Sequence, residues 1–541
     1  MSGGLLQLIT KGDQDVYLTS DDKDAITYWK SSYMSHTNFA IESIENKFIG
    51  NGNFGGTFAV IFEKIGDLLS KVYLQIYLPA LDVTEYVTDV TKINMLSSAA
   101  SAVDKVQYNR ATTEGFKLVW VNSIGHRMIE QADLYIGGQK IDTQYGLWME
   151  IWDELSNSAS KRNGYNDMIG KYESDLSLSS SSKILHVPLQ FWFCRHIGCA
   201  IPLIAIETEI KIMIKIAEFN ECVTLRSIMG NSLFCNESAI LAGATELVYW
   251  DNVNDSLGYK MYKDDESANV AISEDASTYI NEVETVSVYG DYLKRTSNFY
   301  TLVSSTGDIK LDIDTEVTGT MLIKIYTDYV FLDQTERGEV LVFDEDVLIE
   351  QLQRIDISSL SRYDNILNIP FTNNIKELVW VIRRSDNINK GGENVLYNDY
   401  FNFTSGPSGT SGSHILNNST SSKTRLMLNN ENAVCPMPAE YYSMFQTHEY
   451  HSNVPSKLIY CYNFSLTPEE YQPSGTCNFL NLHEKHMLLD VDTNPANLSS
   501  PIISTNLYAT SSSIATSGTL DFSIFAINYN KLKIRTGVIV D

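Results

Sequence analysis

Several short stretches carry residue types that do chemistry elsewhere, and each such chemistry needs a particular spacing. Gly50, Gly52 and Gly55 match GxGxxG. A dinucleotide site needs a strand before that motif and a helix after it, so that the helix N-terminus meets the pyrophosphate. Here Thr57 to Phe62 (TFAVIF) continues as strand, and the glycines read as a glycine-rich β-turn. Gly164 precedes Gly170-Lys171 with five residues between the glycines, one too many for a P-loop, and Tyr172 stands where Ser or Thr must bind magnesium. His448 and His451, and His483 and His486, are each three apart. A zinc protease helix needs HExxH, which puts both imidazoles on one face beside the glutamate base. Neither segment shows a helical pattern, and both pairs read as loop or interface histidines. Asp264-Asp265-Glu266 lacks the glycine and ligand spacing of a calcium loop and reads as solvated surface. No GxSxG elbow occurs. The expectation is therefore no catalytic, cofactor-binding or metal-binding residues, and no cofactor.

The elements around these motifs are mostly strands. Val72, Leu74, Ile76 and Leu78 alternate with Tyr73, Gln75 and Tyr77. From Ile204 to Ile216, isoleucines at 204, 206, 210, 212, 214 and 216 lie opposite Glu207, Glu209, Lys211 and Lys215. Period-two alternation is the mark of a half-buried strand in a sandwich or barrel. Tyr460, Tyr462, Phe464 and Leu466 repeat it, whereas Leu378 to Ile382 (LVWVI) is apolar throughout and predicts a strand covered on both faces. Helical spacing appears twice, at Leu147, Trp148, Ile151, Trp152 and Leu155, and at Leu348, Ile349, Leu352 and Ile355. Two isolated helices among many strands predict an all-β fold with helical connections. The second, at about 346–355, is placed as a linker between two β-rich halves. Ser177 to Ser182, the acidic run 251–275 and Thr404 to Ser422 read as loops.

A chain of 541 residues with 43% hydrophobic and 20% charged residues is globular and long enough for several domains. Its 67 acidic against 40 basic residues give a net charge of −27. Neutralising DNA phosphates needs clustered lysine and arginine, so direct nucleic-acid binding is not expected. Seven irregularly spaced cysteines without a CxxC predict free thiols in a reducing compartment. No secretory signal is seen at the start, and the longest apolar stretch, His196 to Ile206, is too short for a membrane span. Sequons such as those at Asn236 and Asn402 read as chance occurrences.

Certain phrases go further. Gly3 to Thr10 (GGLLQLIT), Gln14 to Thr19 (QDVYLT), His36 to Ser43 (HTNFAIES) and Val72 to Pro79 (VYLQIYLP) occur in order along the chain. Ile136 to Asp142 (IGGQKID), Tyr145 to Leu155 (YGLWMEIWDEL) and Pro188 to Arg195 (PLQFWFCR) follow. Ile375 to Trp380 (IKELVW), Pro468 to Phe479 (PEEYQPSGTCNF) and Ala526 to Asn530 (AINYN) complete the set. Together these resemble the major capsid proteins of nucleocytoplasmic large DNA viruses, over nearly the whole chain. Two stretches, about 82–108 and 220–314, match nothing in the family pattern and read as loop insertions.

The resemblance implies two consecutive eight-stranded antiparallel jelly rolls with a few short helices and long loop insertions. The expected division is 1–24 as an N-terminal arm, 25–342 as the first roll and 343–541 as the second. The family's role implies a homotrimer with pseudo-hexagonal outline that meets neighbouring capsomers, minor capsid proteins and penton proteins in the outer shell of the virion. It also implies assembly in the host cytoplasm or a viral factory, and an arm facing the internal viral membrane. Leu5, Leu6, Leu8 and Ile9 give that arm an apolar patch, too interrupted by glycine for an independent helix or strand. Two other readings stay beside this one: a glycan-binding or receptor-attachment jelly roll, and a double-jelly-roll enzyme of cupin type, for which no metal-ligand spacing is seen.

Overall fold

A computed structural model describes residues 33–80, 116–171, 182–227, 321–341, 345–358, 365–384, 400–403, 421–491 and 520–535, with shorter pieces elsewhere. The insertion at about 82–108 lies outside the described residues, as do the loops at 177–181, 404–420 and most of 251–275.

The first half contributes β1 (Phe39–Asn46), β2 (Thr57–Ile61), β3 (Leu68–Leu78), β4 (Ile129–Ile136), β5 (Gln139–Gln144), β6 (Lys183–Pro188), β7 (Ile210–Ile216) and β8 (Leu322–Leu332). One sheet runs β1-β8-β3-β6 and the other β2-β7-β4-β5. The second half contributes β9 (Glu345–Ile357), β10 (Asn365–Asn368), β11 (Asn374–Arg384), β12 (Ser421–Leu428), β13 (Glu431–Pro438), β14 (Tyr460–Asn463), β15 (Lys485–Val491) and β16 (Leu520–Arg535). Its sheets run β9-β16-β11-β14 and β10-β15-β12-β13. Adding eight to every label of the first half reproduces the second, so one jelly-roll winding occurs twice. Short strands at Phe48–Gly50, Ile201–Pro202, Cys477–Asn478 and Val538–Ile539 add to the expected eight in each roll.

Alternation sets these layers. On β3, Val72, Leu74, Ile76 and Leu78 are buried while Tyr73, Gln75 and Tyr77 are half-buried. On β7, Ile210, Ile212, Ile214 and Ile216 enter the same core. Residues 204–209 do not extend that strand as expected; the amide of Ala205 turns back to the carbonyl of Pro202, and that of Ile204 reaches Asp67. The β4–β5 hairpin turns at Gly137 and Gly138, both at positive φ, as a tight two-residue connection requires. Gly50 and Gly55 likewise have positive φ in the β-turn before β2.

Five expectations need correction. The segment near 346–355 is strand β9, in register with β16 along its 13 residues, and no linker helix occurs there. Its helix-like spacing arises because Ile349 joins the first core and Leu352 the second, so the apolar residues serve two partners. Residues 3–9 do form a short helix, α1 (Gly3–Ile9). Within 220–314 the described backbone is not only loop: it includes two three-stranded antiparallel sheets. The connection into the second roll carries a helix at Gln334–Leu341, outside the stretch read as helical. Finally, His448 lies on a helical turn, Gln446–Tyr450, continuous with a π-helical turn at Tyr441–Phe445, where a loop was expected.

The inter-roll junction and candidate assembly surfaces

The helix predicted around Trp148 forms as α2 (Gly146–Ser156). It belongs to the first roll by sequence, yet Leu147, Trp148, Ile151, Trp152 and Leu155 pack into the core of the second. The Trp148 ring lies 5.3 Å from Phe525, which pairs with Val379 in the β11–β16 ladder. This helix covers the outer face of that sheet, which is why Leu378 to Ile382 is apolar at every position and fully buried. The helix can start only at a glycine. A Cβ on Gly146 would lie 2.0 Å from the carbonyl oxygen of His126 and 2.4 Å from that of Ile129.

The other side of α2 is also buried, and it is acidic: Glu150, Asp153 and Glu154. Lys171 reaches all three, at 3.1, 3.3 and 2.6 Å. From the second roll Lys457 meets Glu150 at 2.5 Å. His126 lies 2.8 Å from Glu150, and Arg162 is 3.1 Å from Glu154. Burial pushes the Glu150 carboxyl up, but Lys171, Lys457 and His126 outweigh it and hold that group well below the usual carboxylate range. For Lys171, burial alone disfavours the charge, and the three carboxylates reverse that and raise it. The second roll also fastens onto the end of α2. Asn453 donates its side-chain amide to the Glu154 carbonyl at 2.8 Å and its backbone amide to that of Leu155 at 3.0 Å. Removing one partner from such a buried pair costs about 3–5 kcal/mol.

A second seam joins β5 to β9. The Asp142 carboxylate accepts the Leu352 amide at 2.9 Å, and Gln351 donates to the Ile141 carbonyl at 2.6 Å. Burial pushes Asp142 up to about 6, against the opposing hydrogen bonds from Leu352 and Gln144.

None of this was read as functional in the sequence. In the sequence Lys171 stands only at the lysine position of an incomplete P-loop motif. Gly170 ends a helix, Ala159–Ile169, in the left-handed conformation and turns the chain so that Lys171 points at α2. His451, considered for a metal pair, lies buried between Glu377 at 3.4 Å and Glu469 at 3.1 Å. Burial there would lower its pKa, but hydrogen bonds to Cys461 and Glu469 raise it to about 10. His486 sits apart on β15, in register with Asn368. No group of three or more His, Cys, Asp and Glu side chains among the described residues is arranged to hold a metal ion. The described cysteines are free thiols, and no described helix is long and apolar enough to cross a membrane.

Large exposed apolar side chains gather near the start of the chain. Leu5, Leu6, Leu8 and Ile9 on α1 are exposed, as are Tyr28, Trp29, Tyr33 and Met34, with Trp29 97% open. Phe39 and Ile41 continue the series on β1, a sheet-edge strand that pairs with β8 alone among the described residues. Large apolar side chains left exposed in this number mark a candidate interaction site.

Residues 27–333 match the family described as major capsid protein N-terminus, and residues 336–540 the family described as large eukaryotic DNA virus major capsid protein. The chain belongs to that capsid family. Among curated relatives it is 27% identical to probable capsid protein 4 of Acanthamoeba polyphaga mimivirus, covering 92% of this chain and 94% of that one. It is 24% identical to the major capsid protein of Paramecium bursaria Chlorella virus 1, covering 99% and 98%. Among solved structures, a chain of the PBCV-1 virus capsid superposes with a TM-score of 0.60 at 20% identity, covering 95% of this chain and all (100%) of that one. The Faustovirus major capsid protein gives 0.58 at 14%, covering 95% and 93%. These neighbours share the double jelly-roll fold. This major capsid protein is a structural component of the virion's outer capsid, and its task is packing, not catalysis.

Proposed function

We propose that three copies of this capsid protein associate into a capsomer of pseudo-hexagonal outline that tiles the facets of an icosahedral shell. The observation that carries this reading is the twofold occurrence of one winding, held together by a buried junction. Two equivalent rolls fixed in one subunit give a trimer six similar corners, and in a closed three-fold ring one patch of each subunit meets a different, complementary patch of its neighbour. The division used is 1–24 as the arm, 25–342 as the first roll and 343–541 as the second. Lateral contacts join capsomers to one another and to penton proteins. The apolar arm, residues 1–24 with α1, faces inward and docks on minor capsid proteins at the side of the internal viral membrane. Assembly takes place in the host cytoplasm or a viral factory. With a net charge of −27 the subunit makes no direct contact with the genome.

Sedimentation of the purified protein at micromolar concentration is expected to return a trimer; monomer or dimer alone would refute the capsomer reading. A variant lacking residues 2–18 is expected to trimerise and to fail in facet assembly with its minor proteins. Loss of the trimer in that variant would place the arm within the subunit core instead.

A further inference from the structure

Between the two rolls lies a cleft of about 360 Å³ lined by residues of both. That is near the lower end for ligand sites and suits one side chain better than an extended ligand. Most charged groups in its wall are already engaged. Arg195 donates to Glu350 at 2.9 Å and to the Gln190 carbonyl at 3.0 Å, and its guanidinium lies 4.8 Å from the Trp152 ring. The other oxygen of Glu350 takes Lys376 at 2.5 Å. Glu469 accepts from His451 at 3.1 Å, from the Ser452 amide at 3.0 Å, and from the Ser452 hydroxyl. Burial pushes the Cys199 thiol up to about 11, so it presents a neutral SH beside Tyr471.

What remains open to a ligand is an aromatic wall and one acid. His196 of the first roll stacks on Tyr471 of the second, with centroids 5.1 Å apart and planes 8° from parallel. His196 Nδ1 accepts the Gly198 amide at 3.0 Å, so this ring is held in place from its own roll as well. Trp192 and Leu348 add apolar surface. Glu470 lines the same cleft, is exposed, and has no ion-pair partner among the described residues. An unengaged carboxylate beside fixed aromatic planes is the combination that recognises a flat cation. A guanidinium suits it because it stacks on rings and pairs in plane with a carboxylate, whereas an ammonium is a compact, strongly hydrated charge. The net charge of −27 further favours a partner with a basic surface.

We propose that this inter-roll cleft receives an arginine side chain presented by a partner protein, with Glu470 as its counter-charge and the His196–Tyr471 pair as its aromatic wall. The occupied cleft would tie the partner to both rolls at once, since its wall exists only while the two are correctly joined.

The test uses the full-length protein with N-acetyl-arginine methylamide as probe and its uncharged isostere, N-acetyl-citrulline methylamide, as control, titrated by calorimetry. Saturable binding of the arginine probe is expected, with citrulline at least tenfold weaker. Glu470→Gln is expected to reduce arginine binding to the citrulline level while leaving the melting temperature unchanged, because Glu470 is exposed and lies in no ion pair among the described residues. The proposal is overturned if the arginine probe shows no saturable binding, if citrulline binds as well as arginine, or if Glu470→Gln, folded as the wild type, binds arginine with unchanged affinity.

Discussion

The two rolls share one strand order but close their cores differently. The first is filled largely by its own strands; the second roll adds the buried Ile349, Leu532 and Ile534, from near the N-terminal end of β9 and the C-terminal end of β16, with Val347 and Tyr471 packed against them. The second roll is completed by a whole helix of the first, which places Trp148 and Trp152 on the outer face of its main sheet. The dependence is therefore unequal. A jelly roll needs both faces of a wholly apolar strand covered, and here the cover for Leu378 to Ile382 comes from another domain. Docking the rolls is part of folding the second one, and their relative orientation is fixed by core packing as well as by surface contact.

The sharpest way to break this asymmetry is Trp148→Ala. Truncating a fully buried tryptophan typically costs about 3–5 kcal/mol. Limited proteolysis is expected to cut the second roll first and to leave the first roll protected, whereas Ile76→Ala, within the first core, is expected to loosen the first roll. Equal protection of both rolls in Trp148→Ala would show that α2 is dispensable to the second.

The charged side of α2 gives a second test of similar or slightly smaller size. Lys171→Met leaves three buried carboxylates with too few cations and is expected to destabilise by about 3–5 kcal/mol in denaturant unfolding. Adding Glu154→Gln to Lys171→Met is expected to recover part of that loss, because one unpaired buried charge disappears with it. No recovery in the double variant would mean that the cluster does not act as a coupled network.

The smallest effect concerns the β5–β9 seam and pH. Asp142 titrates near 6 in the folded protein against an ordinary value of 3.8. A carboxyl with a raised folded pKa adds stability that is complete below the unfolded value and is lost as pH rises through the folded one. The Asp142 contribution thus declines between about pH 4 and pH 7, by about 3 kcal/mol for a shift of this size. Asp142→Asn keeps an oxygen for the Leu352 amide and carries no charge. It is expected to gain stability over the wild type at pH 7.5 and to lose most of that advantage at pH 5. Parallel pH profiles for the two proteins would remove Asp142 from the seam's titration.

The sequence by itself determined the strands whose faces differ. Val72 to Leu78 and Ile210 to Ile216 were legible because side chains two apart share an environment, and one such strand reports its own burial. The glycine turns at 50–55 and 137–138 were legible for a similarly local reason, since positive φ is a property of single residues. The family phrases carried the double roll and the capsid role. What depends on a distant partner was not legible. Ile349 and Leu352 looked like one helical stripe because nothing local says that they enter different cores. The residues of α2 were found, but their destination in the other roll was not, since an apolar stripe does not name what covers it. Lys171 and Glu150 showed no signal beyond their charge, and His451 gave only a misleading histidine spacing. Only the tertiary structure made these residues a junction, because a buried charge persists where partners far away in sequence converge to neutralise it, and that convergence is a property of the fold and of no single segment.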